Sequence, residues 1–157
     1  MVKINLVAVG KVKEKYFADG ISEYAKRLSR FCEFKIVEIA EENYNKVDDK
    51  TIEIIKEREA DRILPHLKGY VFSMAIEGKT SSSQGLADKL NCLISDGNGV
   101  ITFVIGGSYG LSDRIKKSSN ELLSFSEMTF PHTLFRLMLT EQIYRAFSIN
   151  TGSAYHK

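Results

Sequence analysis

The fold is decided by an apolar run that ends in a glycine-rich turn: Val100-Ile101-Thr102-Phe103-Val104-Ile105-Gly106-Gly107-Ser108-Tyr109-Gly110. A run with so little polar interruption is typical of a strand covered on both faces, as in a parallel sheet between helices. The small residues that follow let a ligand approach the backbone, and glycine allows positive φ. A tight turn from strand to helix would need the same residues, so spacing alone leaves both interpretations open.

Strands and helices alternate on both sides of this run. The sequence predicts further strands over residues 2–9, 34–40, 70–76 and 122–128, and helices over residues 14–30, from Asp48 or Asp49 to about Leu64, from residues 81–83 onward, from Ser112, and over 132–147. This alternation predicts an α/β fold with a mainly parallel sheet and helices on both faces. The 157 residues contain no linker or repeat, so we expect a single domain over residues 1–157.

Composition excludes several classes of protein. Hydrophobic residues make up 43% of the chain, which argues against disorder. No apolar run approaches the roughly 20 residues that a membrane-spanning helix needs, and no signal peptide is evident, so we expect a cytoplasmic protein without a membrane partner. Lys and Arg number 22 against 20 Asp and Glu. A nucleic-acid-binding protein with so little excess positive charge would need a composite surface or a preassembled target.

Two cysteines and two glycine motifs carry no recognisable site. Cys32 and Cys92 have no Cys or His at metal spacing, so we expect buried free thiols and no metal. Gly78-Lys79-Thr80 resembles the end of a P-loop, but that loop requires a glycine where Ser73 stands. Gly10 follows the first strand without the second glycine of a dinucleotide fingerprint. These absences argue against P-loop and classical Rossmann enzymes.

A second loop follows the last predicted strand, in the stretch Ser124-Phe125-Ser126-Glu127-Met128-Thr129-Phe130-Pro131. Ligands of parallel sheets bind at the carboxyl ends of strands, so this loop and the glycine loop would form one pocket. Its backbone groups could hold the edge of an adenine ring while Met74, Ile76 and Phe130 pack against the faces. An ordinary strand that leads into a helix whose first turn accepts Pro131 is the alternative.

The last predicted helix, residues 132–147, is apolar almost all round its circumference. Such a helix is buried on nearly all sides. A second copy of the chain would supply that burial, although a core helix of a monomer is also possible. Glu141 and Arg145, four residues apart, fit an ordinary helix pair. For His132, a role at the helix start competes with a substrate contact, and for His156, a functional contact competes with a frayed terminus that has no core pattern.

Several motifs, in order and over essentially the whole chain, resemble the RlmH family of bacterial ribosomal RNA pseudouridine methyltransferases. They are Val9-Gly10-Lys11-Val12-Lys13-Glu14-Lys15-Tyr16, Phe103-Val104-Ile105-Gly106-Gly107-Ser108-Tyr109-Gly110-Leu111, Leu123-Ser124-Phe125-Ser126, Met128-Thr129-Phe130-Pro131-His132, Glu141-Gln142-Ile143-Tyr144-Arg145-Ala146 and Tyr155-His156-Lys157. The resemblance implies the SPOUT fold with a C-terminal trefoil knot, and a homodimer. It also implies S-adenosylmethionine as methyl donor and N3 of a pseudouridine in 23S ribosomal RNA, within the assembled ribosome, as acceptor.

By position, the resemblance assigns donor contacts to Met74, Gly106, Phe125, Ser126, Glu127, Met128, Thr129 and Phe130, with Glu127 acting through its backbone. His132, His156 or water would accept the proton that N3 loses, and Arg145 would stabilise the developing anion. Tyr155, His156 and Lys157 would contact RNA. A SPOUT methyltransferase with another RNA target, and a non-catalytic dimer that binds ribosomes, are the two alternatives.

Overall fold

The computed structural model describes residues 1–157 and contains a sheet of five strands. These are β1 (Lys3–Val9), β2 (Glu33–Ile39), β3 (Tyr70–Thr80), β4 (Val100–Ile105) and β5 (Glu121–Ser124). Their order is β2-β1-β4-β3-β5, and every neighbouring pair is parallel. The predicted α/β fold with a parallel sheet is thereby confirmed.

Four α-helices connect the strands and a fifth follows the last strand. They are α1 (Lys15–Leu28), α2 (Asp49–Ile63), α3 (Ser83–Ser95), α4 (Asp113–Lys117) and α5 (His132–Asn150). Three of them begin at a side chain that accepts a backbone N–H, as predicted from the polar residues at their starts. Asp48 accepts from Thr51, Ser82 from Gly85 and Ser112 from Ile115. A short 3-10 turn over Leu64–His66, which contains Pro65, follows α2.

Helices cover both faces of the sheet. The larger core lies between one face and α1, α3 and α5, and the smaller core lies between the other face and α2 and α4. Successive residues of β1 alternate between them, because Leu6 and Ala8 belong to the larger core while Val7 and Val9 belong to the smaller. None of the helices combines the length and hydropathy that a bilayer span requires.

Strands β3 and β5 differ from the prediction. β5 ends at Ser124 rather than at residue 128, because serine side chains there replace the strand's ladder of hydrogen bonds. The Ser124 hydroxyl donates to the Ser126 carbonyl, and the Ser126 hydroxyl accepts the Met128 N–H. β3 continues to Thr80, and its register against β5 shifts between Met74 and Lys79. A Cβ atom on Gly78 would lie 2.7 Å from the Leu122 carbonyl carbon, so this crossing requires glycine.

The two cysteines are free but only one is buried. Cys32 is 1% exposed, and burial raises the pKa of its thiol to about 12. Cys92 is exposed, and the expectation of burial was wrong for this residue. It lies on α3 between two residues that face the core, Leu90 and Leu93, and the helical turn directs it away from them.

Candidate functional site

A cavity of about 140 Å3 lies at the carboxyl edge of the sheet, beyond the ends of β4 and β5 and beside residues 74–76 of β3. Its lining includes most of the residues that were assigned to a donor, namely Met74, Gly106, Phe125, Ser126, Met128, Thr129 and Phe130. Glu127 is absent from the lining. Ile76 and His132 are part of it. The structure therefore brings the two predicted loops together around one pocket.

The cavity adjoins a wider cleft of about 740 Å3 along the same edge. The two share Met74, Ile76, Thr129, Phe130 and His132 among other residues. Tyr109 is 42% exposed and lies in the lining of the cleft. A molecule that enters the inner cavity thus has room for further groups in the cleft.

The glycine loop folds back on itself beside the cavity. Gly110 has φ +81 and donates its N–H to the Gly107 carbonyl at 3.0 Å. A Cβ atom on Gly106 would lie 2.7 Å from the carbonyl carbon of Gly110. Gly106 is therefore needed to close the loop, so the tight-turn interpretation holds here whether or not a ligand also approaches this backbone.

The second loop is fastened to α5 by aromatic packing. The rings of Phe125 and Phe135 lie 4.8 Å apart, with an angle of 45° between their planes. The Ser126 hydroxyl accepts the Met128 N–H and so closes the turn between these two residues. Phe125 and Phe130 are thereby held with their side chains on the cavity while Met128, 73% exposed, lies at its rim.

His132 stands at the start of α5 and on the rim of the cavity. Its Nδ1 atom is buried and has no hydrogen-bond partner in the protein. A Cβ atom on Gly10 would lie 3.3 Å from its Cε1 atom, so the loop after β1 closes one side of the imidazole. Pro131 is the N-cap residue of α5 and forms no side-chain capping bond, and the His132 Nδ1 atom forms none either.

Arg136 lies one turn after His132 and connects α5 to the ends of two strands. Its guanidinium forms an ion pair with Glu38 at 2.6 Å and donates to the Gly10 carbonyl at 3.0 Å. The side chain is only 3% exposed. These contacts fix the loop after β1 against the start of α5. Sequence reasoning missed Arg136, although a lone arginine inside an otherwise apolar stretch of helix was the available signal.

Glu59 of α2 is a buried carboxylate beneath the glycine loop. It is 4% exposed, accepts the Glu42 N–H at 3.1 Å, and would lie 3.3 Å from a Cβ atom on Gly107. Burial raises the pKa of the Glu59 carboxyl above its ordinary value of 4.5. The sequence did not indicate Glu59, because helical spacing of apolar residues gives no reason to bury an acid.

The C-terminal tail folds onto the far end of α5, where Glu141 is the centre of the contacts. Tyr155 donates its hydroxyl to Glu141 at 3.0 Å, and because that uses its one proton, Tyr24 donates to the Tyr155 oxygen at 3.1 Å. Burial, with these two hydrogen bonds, raises the pKa of Tyr155 above its usual range. Its ring packs against the main core and against Tyr144. The tail therefore has a core contact that its sequence did not reveal.

Arg145 joins the helix to the tail. It is bonded through two nitrogens to Glu141, at 2.9 and 2.5 Å, and its guanidinium lies 4.8 Å from the centre of the Tyr155 ring. Its Nη1 atom is 3.0 Å from His156 Nδ1. A guanidinium only donates, so His156 Nδ1 accepts and its proton resides on Nε2. Lys157 is exposed beyond these contacts.

Within one chain, His132 is far from Arg145 and His156. Residues 132 and 145 both belong to α5, and a rise of about 1.5 Å per residue places them roughly 20 Å apart along its axis. The proposed catalytic side chains thus form two groups, one at the cavity and one at the tail. An apolar groove of about 470 Å3 lies between these regions, with Phe125, Phe130, Leu137, Met138 and Glu141 in its lining.

The comparisons with known proteins agree over the full length of the chain. The family described as "Predicted SPOUT methyltransferase" matches residues 2–156. Two relatives, from Pediococcus pentosaceus and Lactobacillus delbrueckii subsp. bulgaricus, carry the name "Ribosomal RNA large subunit methyltransferase H". They are 49% and 50% identical over 159 residues, covering 99% of this chain and 100% of each relative.

A solved structure shares the fold at low sequence identity. It is a Legionella pneumophila protein determined "in complex with the bound cofactor SAM", and it matches with a TM-score of 0.50 and 14% identity. The match covers 95% of this chain and 66% of that protein.

Proposed function

The chain belongs to the SPOUT methyltransferase family, among the ribosomal RNA large subunit methyltransferase H proteins, and we propose that it methylates N3 of a pseudouridine in 23S ribosomal RNA. The names of the full-length relatives support ribosomal RNA as the substrate. The observation that carries the proposal is the cavity at the carboxyl edge of the sheet, where two loops with ligand-binding composition meet.

The cavity and the adjoining cleft suit S-adenosylmethionine in the chemistry of their linings and in their combined size. Met74, Ile76 and Phe130 provide an apolar lining for an adenine ring, and the glycine loop leaves backbone groups unshielded by side chains. The adjoining cleft gives room for the polar part of the molecule. Gly106 and residues 125–130 would hold the donor, with Glu127 contributing through its backbone. When bound, S-adenosylmethionine supplies a methyl carbon made electrophilic by its sulfonium.

The chain's residues have to orient the pseudouridine and accept the proton that leaves N3. Orientation alone can supply a large part of the acceleration in such a transfer. Of the two histidines, His132 suits the proton better, because its Nδ1 has no partner whereas His156 Nδ1 is occupied by Arg145. Arg145 already neutralises Glu141, so it would need to exchange that pairing to stabilise an anion on the base.

We extend the proposal to a homodimer with a shared active site. The cavity and the tail lie at opposite ends of α5 in one chain, so a partner's tail could complete the site that His132 begins. The apolar groove along Leu137 and Met138, which the chain itself leaves open, is the surface we assign to the partner. Tyr155, His156 and Lys157 would then contact the RNA near the partner's donor pocket.

The SPOUT family also carries a trefoil knot, and we propose that residues 1–157 fold as one such knotted domain in the cytoplasm. The family match over residues 2–156 supports this part of the proposal. The nearly balanced charge of the chain supports the assembled ribosome as target, since a preformed surface would add contacts beyond phosphate attraction.

Calorimetry with S-adenosylmethionine tests the donor pocket through a matched pair of isoleucines. Ile76 is 51% exposed at the cavity, and Ile54 is 41% exposed on α2. Ile76→Ala should weaken donor binding about fivefold, the effect of roughly 1 kcal/mol of lost apolar contact, while Ile54→Ala should leave it unchanged. Equal affinities in both variants would remove the donor from this cavity, and no binding by the wild type would favour a non-catalytic ribosome-binding dimer.

The acceptor is tested by incubating the protein with methyl-labelled S-adenosylmethionine and ribosomes from a strain that lacks it. Digestion of the 23S RNA should recover the label in N3-methylated pseudouridine. Label in a different nucleoside would replace the proposed acceptor with another RNA target.

A further inference from the structure

The loop that joins β1 to α1 presents two free lysines and an exposed aromatic ring. Lys11 and Lys13 are exposed and form no ion pair, whereas Lys15 is paired with Asp19 at 2.7 Å. Tyr16 is 70% exposed, well above the 42% of Tyr109. The combination of unpaired cations with a solvent-facing ring needs an explanation, because none of the three side chains contributes to either core.

Glu14 is the one acid in this loop, and it forms no ion pair with either lysine. Its Oε2 atom is buried and has no hydrogen-bond partner. Tyr16 is backed by Phe17, with the ring centres 4.5 Å apart and the planes at 62°. An edge-on neighbour of this kind supports the Tyr16 ring while leaving a face for another planar group.

The loop is fixed beside the candidate site. Gly10, from which it departs, has φ +92, donates its N–H to the Ile39 carbonyl at 2.8 Å and accepts from Arg136 at 3.0 Å. Gly10 also closes one side of His132, on the cavity rim. Lys11 and Lys13 therefore extend from an anchored point at the same sheet edge as the donor pocket.

We propose that residues 11–16 are an RNA-binding element next to the active site. Lys11 and Lys13 would contact backbone phosphates, and Tyr16 would stack on an unpaired base that flanks the methylated nucleotide. Single-stranded RNA is held by this pairing of cations with aromatic faces. This inference rests on the proposed function and adds a contact surface, separate from the tail, to a chain with little net charge.

The test measures binding of the full-length protein to ribosomes from a strain that lacks it, over a series of salt concentrations. One variant is Lys11→Gln with Lys13→Gln. Its matched control is Lys3→Gln with Lys35→Gln. These two lysines are exposed and unpaired, and they lie in the amino-terminal halves of β1 and β2, away from the carboxyl edge of the sheet. A further variant is Tyr16→Ala, with Tyr16→Phe as the conservative change. S-adenosylmethionine binding is measured in all of them by calorimetry.

The lysine variant should make the negative slope of log affinity against log salt less steep by about 1.5, because each phosphate contact contributes roughly 0.7–0.9 to its magnitude. The control should keep the wild-type slope. Tyr16→Ala should weaken binding by a factor of roughly 5 to 150 at unchanged slope, and Tyr16→Phe should restore it. Donor affinity should stay constant throughout.

Two outcomes separate this inference from the proposed function. If the wild type methylates and binds ribosomes but the lysine and Tyr16→Ala variants match it in affinity and slope, the RNA-binding loop is wrong and the proposed function stands. If the wild type neither binds nor methylates ribosomes, the proposed function fails and the inference fails with it.

Discussion

Arg136 is the most deeply buried charged side chain on α5, and it connects the three parts that shape the rim of the site. Its guanidinium reaches Glu38 at the end of β2 and the Gly10 carbonyl after β1, while its helix position places it one turn from His132. Its Nε atom has no partner. Because this buried nitrogen is unpaired, we infer that Arg136 serves to position the loop after β1 against α5 more than to stabilise the fold.

Replacing Arg136 should nevertheless destabilise the protein, because Glu38 and the Gly10 carbonyl would lose their partner. We expect Arg136→Met to cost about 2–3 kcal/mol in urea unfolding. Glu38→Gln should cost less, since Glu38 is 43% exposed. The double variant should cost less than the sum of both, and strict additivity would show that the ion pair contributes nothing.

Glu59 gives a prediction about pH. A carboxyl whose pKa is raised in the folded state binds more protons there than in the unfolded chain. The Glu59 carboxyl therefore lowers the free energy of unfolding progressively as the pH rises from about 4.5, the ordinary pKa, through the raised pKa. Glu59→Gln removes that charge. The stability of Glu59→Gln relative to the wild type should therefore increase between pH 4.5 and pH 7. A difference that is constant with pH would contradict burial as the cause of the shift.

At the scale of elements, the sequence predicted the five strands and five α-helices and their order along the chain, but not the order of the strands within the sheet. Hydrophobic spacing was sufficient for β1, β4 and α1, and polar caps located the starts of α2, α3 and α4. The end of β5 could not be predicted, because the hydrogen bonds of Ser124 and Ser126 compete with the ladder only in the folded geometry.

The same limit applies to the candidate site. Strand ends and small residues predicted where the two loops meet, since that depends on a general property of parallel sheets. The buried Glu59 and Arg136 and the docked Tyr155 could not be predicted, because each depends on partners distant in the sequence: Glu42, Glu38 and Glu141. The tail's three residues offered no spacing pattern from which a core contact could be read.

The tail can be divided by its contacts. Tyr155→Phe removes the hydroxyl shared with Glu141 and Tyr24, and we expect it to lower the free energy of unfolding by about 1 kcal/mol. Deletion of residues 156–157 leaves that hydroxyl in place, so it should keep thermal stability and yet lower methylation of ribosomes. If the deletion instead kept full activity, the last two residues would be a frayed end.

For the whole molecule, we propose that two chains are needed to complete the site. The cavity at one end of α5 and the tail at the other are about 20 Å apart. The groove between them is lined by apolar side chains that remain partly exposed in a single chain. A dimer across this groove would bury those side chains and allow one chain's tail to approach the other's cavity.

Light scattering tests that assembly. The wild type should be a dimer at micromolar concentration, and Met138→Glu should dissociate it, because a buried unpaired charge costs several kcal/mol. Ile54→Glu, a charge at an exposed position of α2, is the matched control and should remain dimeric. Circular dichroism separates dissociation from unfolding, and a wild-type monomer would contradict the shared site.

The central claim, methylation of a 23S ribosomal RNA pseudouridine at N3, is tested most directly by nucleoside mass spectrometry of ribosomal RNA from a strain without this protein. We predict that N3-methylated pseudouridine disappears from its 23S RNA and returns when the wild-type gene is restored. The presence of that nucleoside at its normal level in the deletion strain would contradict the account.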